Sequence, residues 1–394
     1  MNDLSIRPDY DAIVVGARCA GASTAMLLAR DGLRVLVVDR GQVGADTLST
    51  HALMRGGVLQ LLRWGLLPAI AARTPAVRSA TFHYGDEVVT VPVKPRDGLD
   101  ALYAPRRTVL DPALVEAARA AGAEVEFGTT AVDLVRARSG RVAGAVLVNA
   151  AGERRTATAR IVIGADGIRS RVAALAGAPV ERAGLHATAT IYGYWSGLDV
   201  EGYHWHYRPG VSAGAIPTND GRVCAFVAMP PRRFAAELRD GIEATYHRVL
   251  GEAAPELAAA VRGARLDAKL RPFTGVRGFL RCAWGPGWAL VGDAGYFKDP
   301  STAHGITDAL RDAELLARAV VRGTDAALAG YQSSRDAAAL GLFEVTDRIA
   351  SFAWDLEEAK SVHVVLARHM AAEVELLEAL ERESGDRELE ARVV

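Results

Sequence analysis

Residues 11–39 read as a buried strand, a glycine-bounded turn, a helix of small residues and a second buried strand. Asp11-Ala12-Ile13-Val14-Val15 is a short apolar run with β-branched residues, and Gly16 closes it. Residues 20–30 carry small and apolar side chains at helical spacing (Ala22, Ala25, Met26, Leu28, Ala29), and Gly32 supplies the usual stop. Arg34-Val35-Leu36-Val37-Val38 repeats the buried-strand pattern and ends in Asp39. Strand, helix and strand this close together fold as a right-handed parallel crossover. An α/β fold is therefore expected. The turn itself is Gly16-Ala17-Arg18-Cys19-Ala20-Gly21. A dinucleotide fingerprint needs one glycine for the turn, one for close approach to the pyrophosphate and one for helix packing. Gly16 and Gly21 supply the first and third. Arg18 takes the second place, where its Cβ limits backbone approach while its guanidinium adds positive charge for a phosphate. Asp39, 23 residues after Gly16, stands where a carboxylate takes ribose hydroxyls. The same turn also occurs in α/β units that bind nothing, so this motif alone leaves both readings open.

Composition narrows the class. The 394 residues carry 46 Lys+Arg against 47 Asp+Glu, a net charge of −1 that gives no basic field for nucleic acid. Half the residues are hydrophobic and 24% charged, a globular balance that suits two or three domains. No apolar run approaches the 18 residues that span a bilayer, and the first eleven residues lack a charged segment followed by an apolar one. Three distant cysteines, Cys19, Cys224 and Cys282, suit a reducing compartment. A cytoplasmic protein of enzyme size is expected, with no nucleic-acid partner and no integral membrane segment.

Further along, residues 112–121 predict a helix with Asp111 as N-cap and Pro112 in the first turn. A strand at 123–127, a hairpin of 132–138 with 141–149 turning at Ser139-Gly140, a strand at 158–164 and a helix at 168–176 follow. Residues 186–230 alternate strands rich in Tyr, Trp and His, with a helix expected at 232–250. Trp288-Ala289-Leu290-Val291 returns to the buried-strand style, 306–322 reads as a long helix, and 331–385 as charged helices.

Two more motifs carry chemistry. Gly164-Ala165-Asp166-Gly167 places Asp166 outside a strand end, where α/β ligands collect, although Asp-Gly is also a common turn. Val291-Gly292-Asp293-Ala294 is followed by Phe297-Lys298-Asp299-Pro300 and then Ala303-His304-Gly305-Ile306 opening the long helix. A carboxylate at a strand end holds a polyol hydroxyl, and a helix N-terminus with small residues admits a planar ring and stabilises negative charge on it. A strand, loop and helix with glycine for packing is the plain alternative.

In this order and at these separations, the three motifs resemble those of the flavoprotein monooxygenase superfamily with the p-hydroxybenzoate-hydroxylase-like fold. That superfamily also holds flavin-dependent halogenases and geranylgeranyl-reductase-like enzymes. The resemblance covers residues 10–330 or so and implies a Rossmann-like FAD-binding domain with an inserted antiparallel β-sheet substrate domain and C-terminal helices. The corresponding segments are 1–80 with 98–180 and 277–330 for FAD, 81–97 with 181–276 for substrate, and 331–394 for the helices. FAD is implied in extended form, with adenosine near Asp39 and Arg40, pyrophosphate over Gly16, Ala17, Arg18 and Gly21, and ribitol near Gly292 and Asp293. Arg107 in Arg107-Thr108-Val109-Leu110 matches a cofactor-contacting arginine, and Val132 a backbone contact to the adenine. Asp166 matches an element shared between FAD and the pyridine nucleotide, while Pro300, Gly305 and Ile306 match the segment under the flavin ring. Hydroxylases of the family read Pro-Pro-x-x-Gly-x-Gly-x-Asn where this chain has Asp299-Pro300-Ser301-Thr302-Ala303-His304-Gly305-Ile306-Thr307. The Phe-x-Asp-Pro form is closer to the halogenases, but the Trp-x-Trp-x-Ile-Pro segment is missing and the first lysine is Lys94, which argues against halogenation.

The resemblance implies that NAD(P)H reduces the flavin, oxygen adds at C4a, and the hydroperoxide hydroxylates or epoxidises an aromatic or polyketide-like molecule, as in secondary metabolism. Tyr192, Tyr194, Trp205 and Tyr207 alternate as one strand face does and are candidates to line the pocket or to form sheet core. His51 and His304 are the candidates for proton work, His51 at about the distance along the chain where relatives reach the ring and His304 at the helix end. His204-Trp205-His206 lacks the further donors a metal wants, so no metal is expected. Cys19 is read as packing rather than a nucleophile. Two other readings stand: a geranylgeranyl-reductase-like dehydrogenase or ene-reductase, and a binding protein on the same fold that has lost FAD, as Rab escort and GDI proteins have. Arg18 in the glycine loop is the only support for the last.

Overall fold

The structure, a computed structural model, describes residues 8–393; the start of the chain, where no secretory signal is expected, lies partly outside the described residues. Strand β1 (Tyr10–Val15), helix α1 (Cys19–Arg30) and strand β2 (Val35–Asp39) form the expected crossover, with Ala12 opposite Val35 in a parallel pair. Two short helices, α2 (Arg55–Arg63) and α3 (Leu67–Ala71), precede a hairpin of β3 (Ser79–Tyr84) and β4 (Glu87–Pro92). Helix α4 (Arg107–Ala120) leads to β5 (Glu124–Phe127), which extends the parallel sheet beside β2. The antiparallel run β6 (Thr130–Arg136), β7 (Val142–Val148) and β8 (Arg154–Gly164) brings the chain back alongside β1.

After α5 (Arg171–Ala176) and β9 (Val180–Ala183) come β10 (Ala189–Ser196), β11 (Tyr203–Arg208), β12 (Val211–Thr218) and β13 (Arg222–Met229), the last three a meander that returns β13 to the side of β10. Helices α6 (Pro231–Glu237), α7 (Ile242–Ala253) and α8 (Pro255–Gly263) cover one face of it. Six short strands return the chain to the first unit: β14 (Arg265–Leu266), β15 (Arg271–Phe273), β16 (Phe279–Arg281), β17 (Trp284–Gly285), β18 (Trp288–Leu290) and β19 (Tyr296–Phe297). Helices α9 (Gly305–Arg322), α10 (Asp325–Ala350) and α11 (Leu356–Val393) complete the fold.

Among the described residues the first sheet has the order β17-β18-β8-β1-β2-β5, and the second β14-β10-β13-β12-β11-β3-β4. This is the α/β unit with an inserted, largely antiparallel sheet and C-terminal helices that the motifs imply. Ala-rich α1 and amphipathic α9 press on one face of the first sheet, with Ala22, Ala25, Met26, Leu310 and Ala313 fully buried between them. No described helix is long and apolar enough to cross a membrane.

Several elements depart from the sequence expectation for local reasons. Helix α4 begins at Arg107 rather than after Asp111, and Pro112 lies inside it. Asp111 does not cap; its carboxylate accepts from Arg107 Nε at 2.8 Å one turn earlier in the same helix, and from Arg18 and Cys19 across elements, which outweighs the capping preference. The helix expected at 168–176 starts only at Arg171, because Asp166 accepts from the Arg171 and Val172 amides and Ser170 caps the first turn. The helix expected at 232–250 is two helices, broken at Gly241 with φ +89°. The segment limits expected at 80, 180 and 330 fall inside β3, β9 and α10.

Candidate active site

Three strand ends lie side by side. The Ala165 amide donates to the Val15 carbonyl at 2.8 Å and the Val291 amide to the Gly164 carbonyl at 2.9 Å, so all three motifs leave the sheet along one edge. The contacts between them exclude side chains. Gly16 has φ +110°, and a Cβ there would lie 2.4 Å from the Ala165 carbonyl oxygen. A Cβ on Gly21 would lie 1.8 Å from the Gly16 carbonyl oxygen, and one on Gly292 would lie 2.7 Å from the Ala20 methyl. Ala17 is buried in the turn and Arg18 leads α1 in an extended conformation. The backbone therefore forms a shallow concave rim at the N-terminus of α1, where unpaired amides and the helix dipole favour an anion.

Polar groups line this rim. Asp39 accepts from the Ala17 amide at 2.8 Å and the Gly41 amide at 2.7 Å, holding the loop against the end of β2 beside a crevice that Phe127 and Val115 close from the far side. Arg40, next in sequence, is exposed. Val132 sits at a bulge in β6, opposite no residue of β7, which leaves its backbone off the ladder. Asp111, expected from the sequence only as a helix cap, joins the rim to α4: it accepts from Arg107, from Arg18 at 3.3 Å and from the Cys19 thiol at 3.2 Å. Burial pushes the Cys19 thiol well up, so it packs rather than reacts. Asp166 spends both oxygens on the start of α5.

At the other end of the edge, Asp293 takes no hydrogen bond from any described residue. Burial pushes its carboxyl up to about 6, against the pull of Arg107 and Lys298. Pro300 opens a short turn, Ala303 has φ +50°, and Ile306 is buried in the first turn of α9. Gly305 is exposed, and a Cβ there would meet nothing within 4 Å. No protein atom therefore requires a glycine at this helix start. The position is open.

The two histidines occupy different settings. His51, at φ +69° and fully buried, shares a hydrogen bond between Nε2 and the Tyr194 hydroxyl, and its Nδ1 has no partner. Burial, with Arg107, Arg106 and Arg271 adding repulsion, holds its pKa well below the usual value, so the ring is neutral at pH 7. Arg106 lies 4.1 Å over the Tyr194 ring, and Arg106 and Arg271 both reach Asp46, at 2.8 and 3.0 Å. His304 precedes α9 and meets Glu373 of α11 at 2.6 Å through Nε2, while its Nδ1 is buried without a partner. Arg311 donates to the same Glu373 at 2.7 Å, and Lys298 is buried in an ion pair with Asp308. Sequence reasoning did not find Arg106, Arg271, Asp46 or Glu373, because no local motif marks them. The expected aromatic face divides: Tyr192 and Tyr194 reach the 49–51 segment, whereas Tyr207 packs against Tyr84, Trp354 and His363.

A rim closed by Gly16, Gly21 and Gly292 beside helix amides, a carboxylate with no partner among the described residues and an open helix start along one edge fit a long ligand with an anionic middle, a polyol and a flat ring. The family model of the FAD binding domain matches residues 9–346. The chain belongs to this family. FAD-dependent oxidoreductase is thus its class, and the residues above fit that cofactor. The chain is 33% identical to the protein FixC of Salmonella typhi over 178 residues, 42% of this chain and 38% of FixC, so the match spans well under half of that relative. It is 28% identical to a menaquinone reductase of Mycolicibacterium smegmatis over 337 residues, 79% of this chain and 76% of the reductase. In fold it is similar to p-nitrophenol 4-monooxygenase PnpA of Pseudomonas putida DLL-E4, with TM-score 0.77, 19% identity, and 94% and 97% of the two chains covered.

Proposed function

We propose that this flavoprotein is a monooxygenase that uses NAD(P)H and O2 to oxygenate an aromatic small molecule bearing an acidic group. The observation that carries this reading is the buried His51–Tyr194 pair, set in an aromatic wall and flanked by two arginines that share one carboxylate. FAD, when bound, supplies the electrons that activate oxygen. The protein's own part is orientation and proton control. Gly16, Ala17, Arg18 and Gly21 receive the pyrophosphate, Arg107 stands between that turn and Asp293, and Asp293 takes ribitol hydroxyls. Asp39 and Arg40 flank the adenosine and Val132 offers its backbone to the adenine. Gly305 and Ile306 leave room for the ring, with Pro300 shaping the approach.

Tyr192 and Tyr194, set edge to face with their planes 83° apart, supply aromatic edges for contact with an aromatic substrate. Two guanidiniums against one Asp46 carboxylate leave a positive excess, which favours a phenolate or carboxylate. Neutral His51 keeps one ring nitrogen free to hold a proton beside that anion, and its left-handed backbone is the kind of strain that persists where a site fixes it. His304, tied to Glu373, orients the start of α9. Substrate-dependent oxidation of NAD(P)H with one atom of labelled O2 entering the product is the expected result; product saturation under anaerobic conditions with no oxygen incorporated would refute it. That second outcome is the one predicted by a reductase reading, which the menaquinone reductase relative supports through its coverage of most of the chain.

A further inference from the structure

The histidines of β11 are not an isolated pair. His204 and His206 point to the face opposite Tyr203, Trp205 and Tyr207, which are buried in the aromatic cluster. On the neighbouring strand β3, which runs parallel to β11, His83 is the direct partner of His206. The three half-buried imidazoles each offer one ring nitrogen within 4.8 Å of the others. A third donor thus comes from 121 residues earlier in the chain than His204, which is why the spacing of His204 and His206 alone gave no reason to expect a metal.

We propose that His83, His204 and His206 form a divalent transition-metal site, with Zn2+ as its occupant, on the outer face of the inserted sheet and independent of the flavin chemistry. Three features carry it. First, His83 Nε2 and His204 Nδ1 are 3.1 Å apart; two imidazole nitrogens bound to one tetrahedral zinc at their usual bond lengths lie about 3.3 Å apart. Second, His204 Nε2 meets the Glu201 carbonyl at 2.9 Å. A carbonyl only accepts, so Nε2 carries the proton and Nδ1 presents its lone pair toward His83, the outer-shell arrangement that orients ligating histidines. Third, a three-histidine set on two adjacent strands leaves a fourth position for water.

In the metal-free state the His83–His204 contact needs a proton on His83 Nε2. Metal binding moves that proton to His83 Nδ1, so the ligand is the other neutral tautomer and the charge balance changes only by the ion. His83 and His206 stack at 4.0 Å with their planes 9° apart. Coordination by both rings turns them out of that stack. Because β3 enters the second sheet from a segment far from β11, the ion adds a tie between two stretches that strand pairing and the Tyr84–Tyr207 stack also join.

The test uses tag-free, FAD-loaded protein stripped with a chelator. Equilibrium dialysis against Zn2+ is expected to give one ion per chain, and zinc to raise the thermal unfolding midpoint. His83→Gln and His206→Gln are each expected to weaken zinc binding by about tenfold or more and to abolish that rise, while His247→Gln, at an exposed position on α7, changes neither. Cu2+ bound to the wild-type protein is expected to show nitrogen hyperfine structure from at least two imidazoles, a readout that does not depend on any variant folding. No retained zinc, unchanged affinity in both glutamine variants, or a copper spectrum without imidazole nitrogen would each overturn the proposal.

Discussion

The strand-end edge and the wall opposite it are built by different means. Along the edge, main chain is packed too closely for side chains: Gly16 against the Ala165 backbone, Gly21 against the Gly16 backbone, Gly292 against the Ala20 methyl. Across from it, side chains far apart in sequence meet one another: His51 with Tyr194, Arg106 and Arg271 with Asp46, Glu373 with His304 and Arg311. At the edge, to which the proposed function assigns the cofactor, an added side chain collides with atoms already in place. The wall, which the proposed function sets against the substrate, depends on charge pairs that single substitutions can break. The comparison therefore predicts different failures for the two regions.

The largest effect belongs to the side-chain network. Burial opposes ionisation of Glu373, but His304, Arg311 and Lys298 together bring its carboxyl down to about 2. Glu373→Ala leaves Arg311 and His304 facing a void, and removing one member of a buried charge pair costs about 3–5 kcal/mol. Since the folded value lies below the unfolded 4.5, the stabilisation is complete above about pH 4.5 and lost as pH falls toward 2. Acid unfolding of the wild type followed by circular dichroism should show that loss, and Glu373→Gln should flatten it. An unchanged acid limb would mean that α11 is not anchored through this carboxylate.

Next is the backbone edge. Gly21→Ala places a methyl where the Gly16 carbonyl already stands, and overpacking of this kind costs about 1–3 kcal/mol, occasionally more. Flavin content of the purified variant and its unfolding midpoint should fall together. A variant that stays yellow at normal stability would show that the edge has slack the structure does not contain.

The two regions also differ in how far sequence alone revealed them. The crossover at 10–39 was legible because a buried strand, a positive-φ glycine and a small-residue helix each leave a local signature. Gly292-Asp293 and the start of α9 were legible for the same reason. Asp111 was misread: its position before Pro112 imitates an N-cap, and only the fold shows that Arg107, Arg18 and Cys19 compete for it. His83 joins His206 only through a parallel pairing, and Glu373 reaches His304 only because α11 folds back over α9; neither pairing has a periodicity that marks it. Local rules find backbone constraints, and tertiary charge pairs escape them.

Asp293 lies where the regions meet and gives a smaller effect of two opposite signs. Its carboxyl, raised to about 6 from 3.8, is stabilising when protonated and becomes a liability when ionised. FAD-free protein should lose stability as pH rises from about 4 to 6 and level off above. Asp293→Asn should therefore stabilise the FAD-free form at pH 8, by an amount of order 1 kcal/mol after allowance for residual solvation. The same change should weaken FAD binding, because an amide accepts ribitol hydroxyls less strongly than a carboxylate. Thermal scans with and without FAD separate the two; equal shifts in both would remove Asp293 from the cofactor site.

The smallest effect, Tyr194→Phe, distinguishes a working wall from a merely packed one. The hydroxyl and His51 Nε2 satisfy each other inside the aromatic cluster, so its loss costs about 1 kcal/mol through an unpaired ring nitrogen. If the pair only fills space, that penalty is the whole result. If His51 holds a proton beside an acidic substrate, turnover should fall further than stability does, with KM little changed, since the ring loses the partner that sets its tautomer. No new pH limb should appear near neutrality, because burial and three arginines still hold His51 neutral. Arg106→Gln is the complementary change: it removes one of those charges, and an alkaline shift in His51 titration there, without one in Tyr194→Phe, would assign proton control to the arginines and tautomer control to the tyrosine.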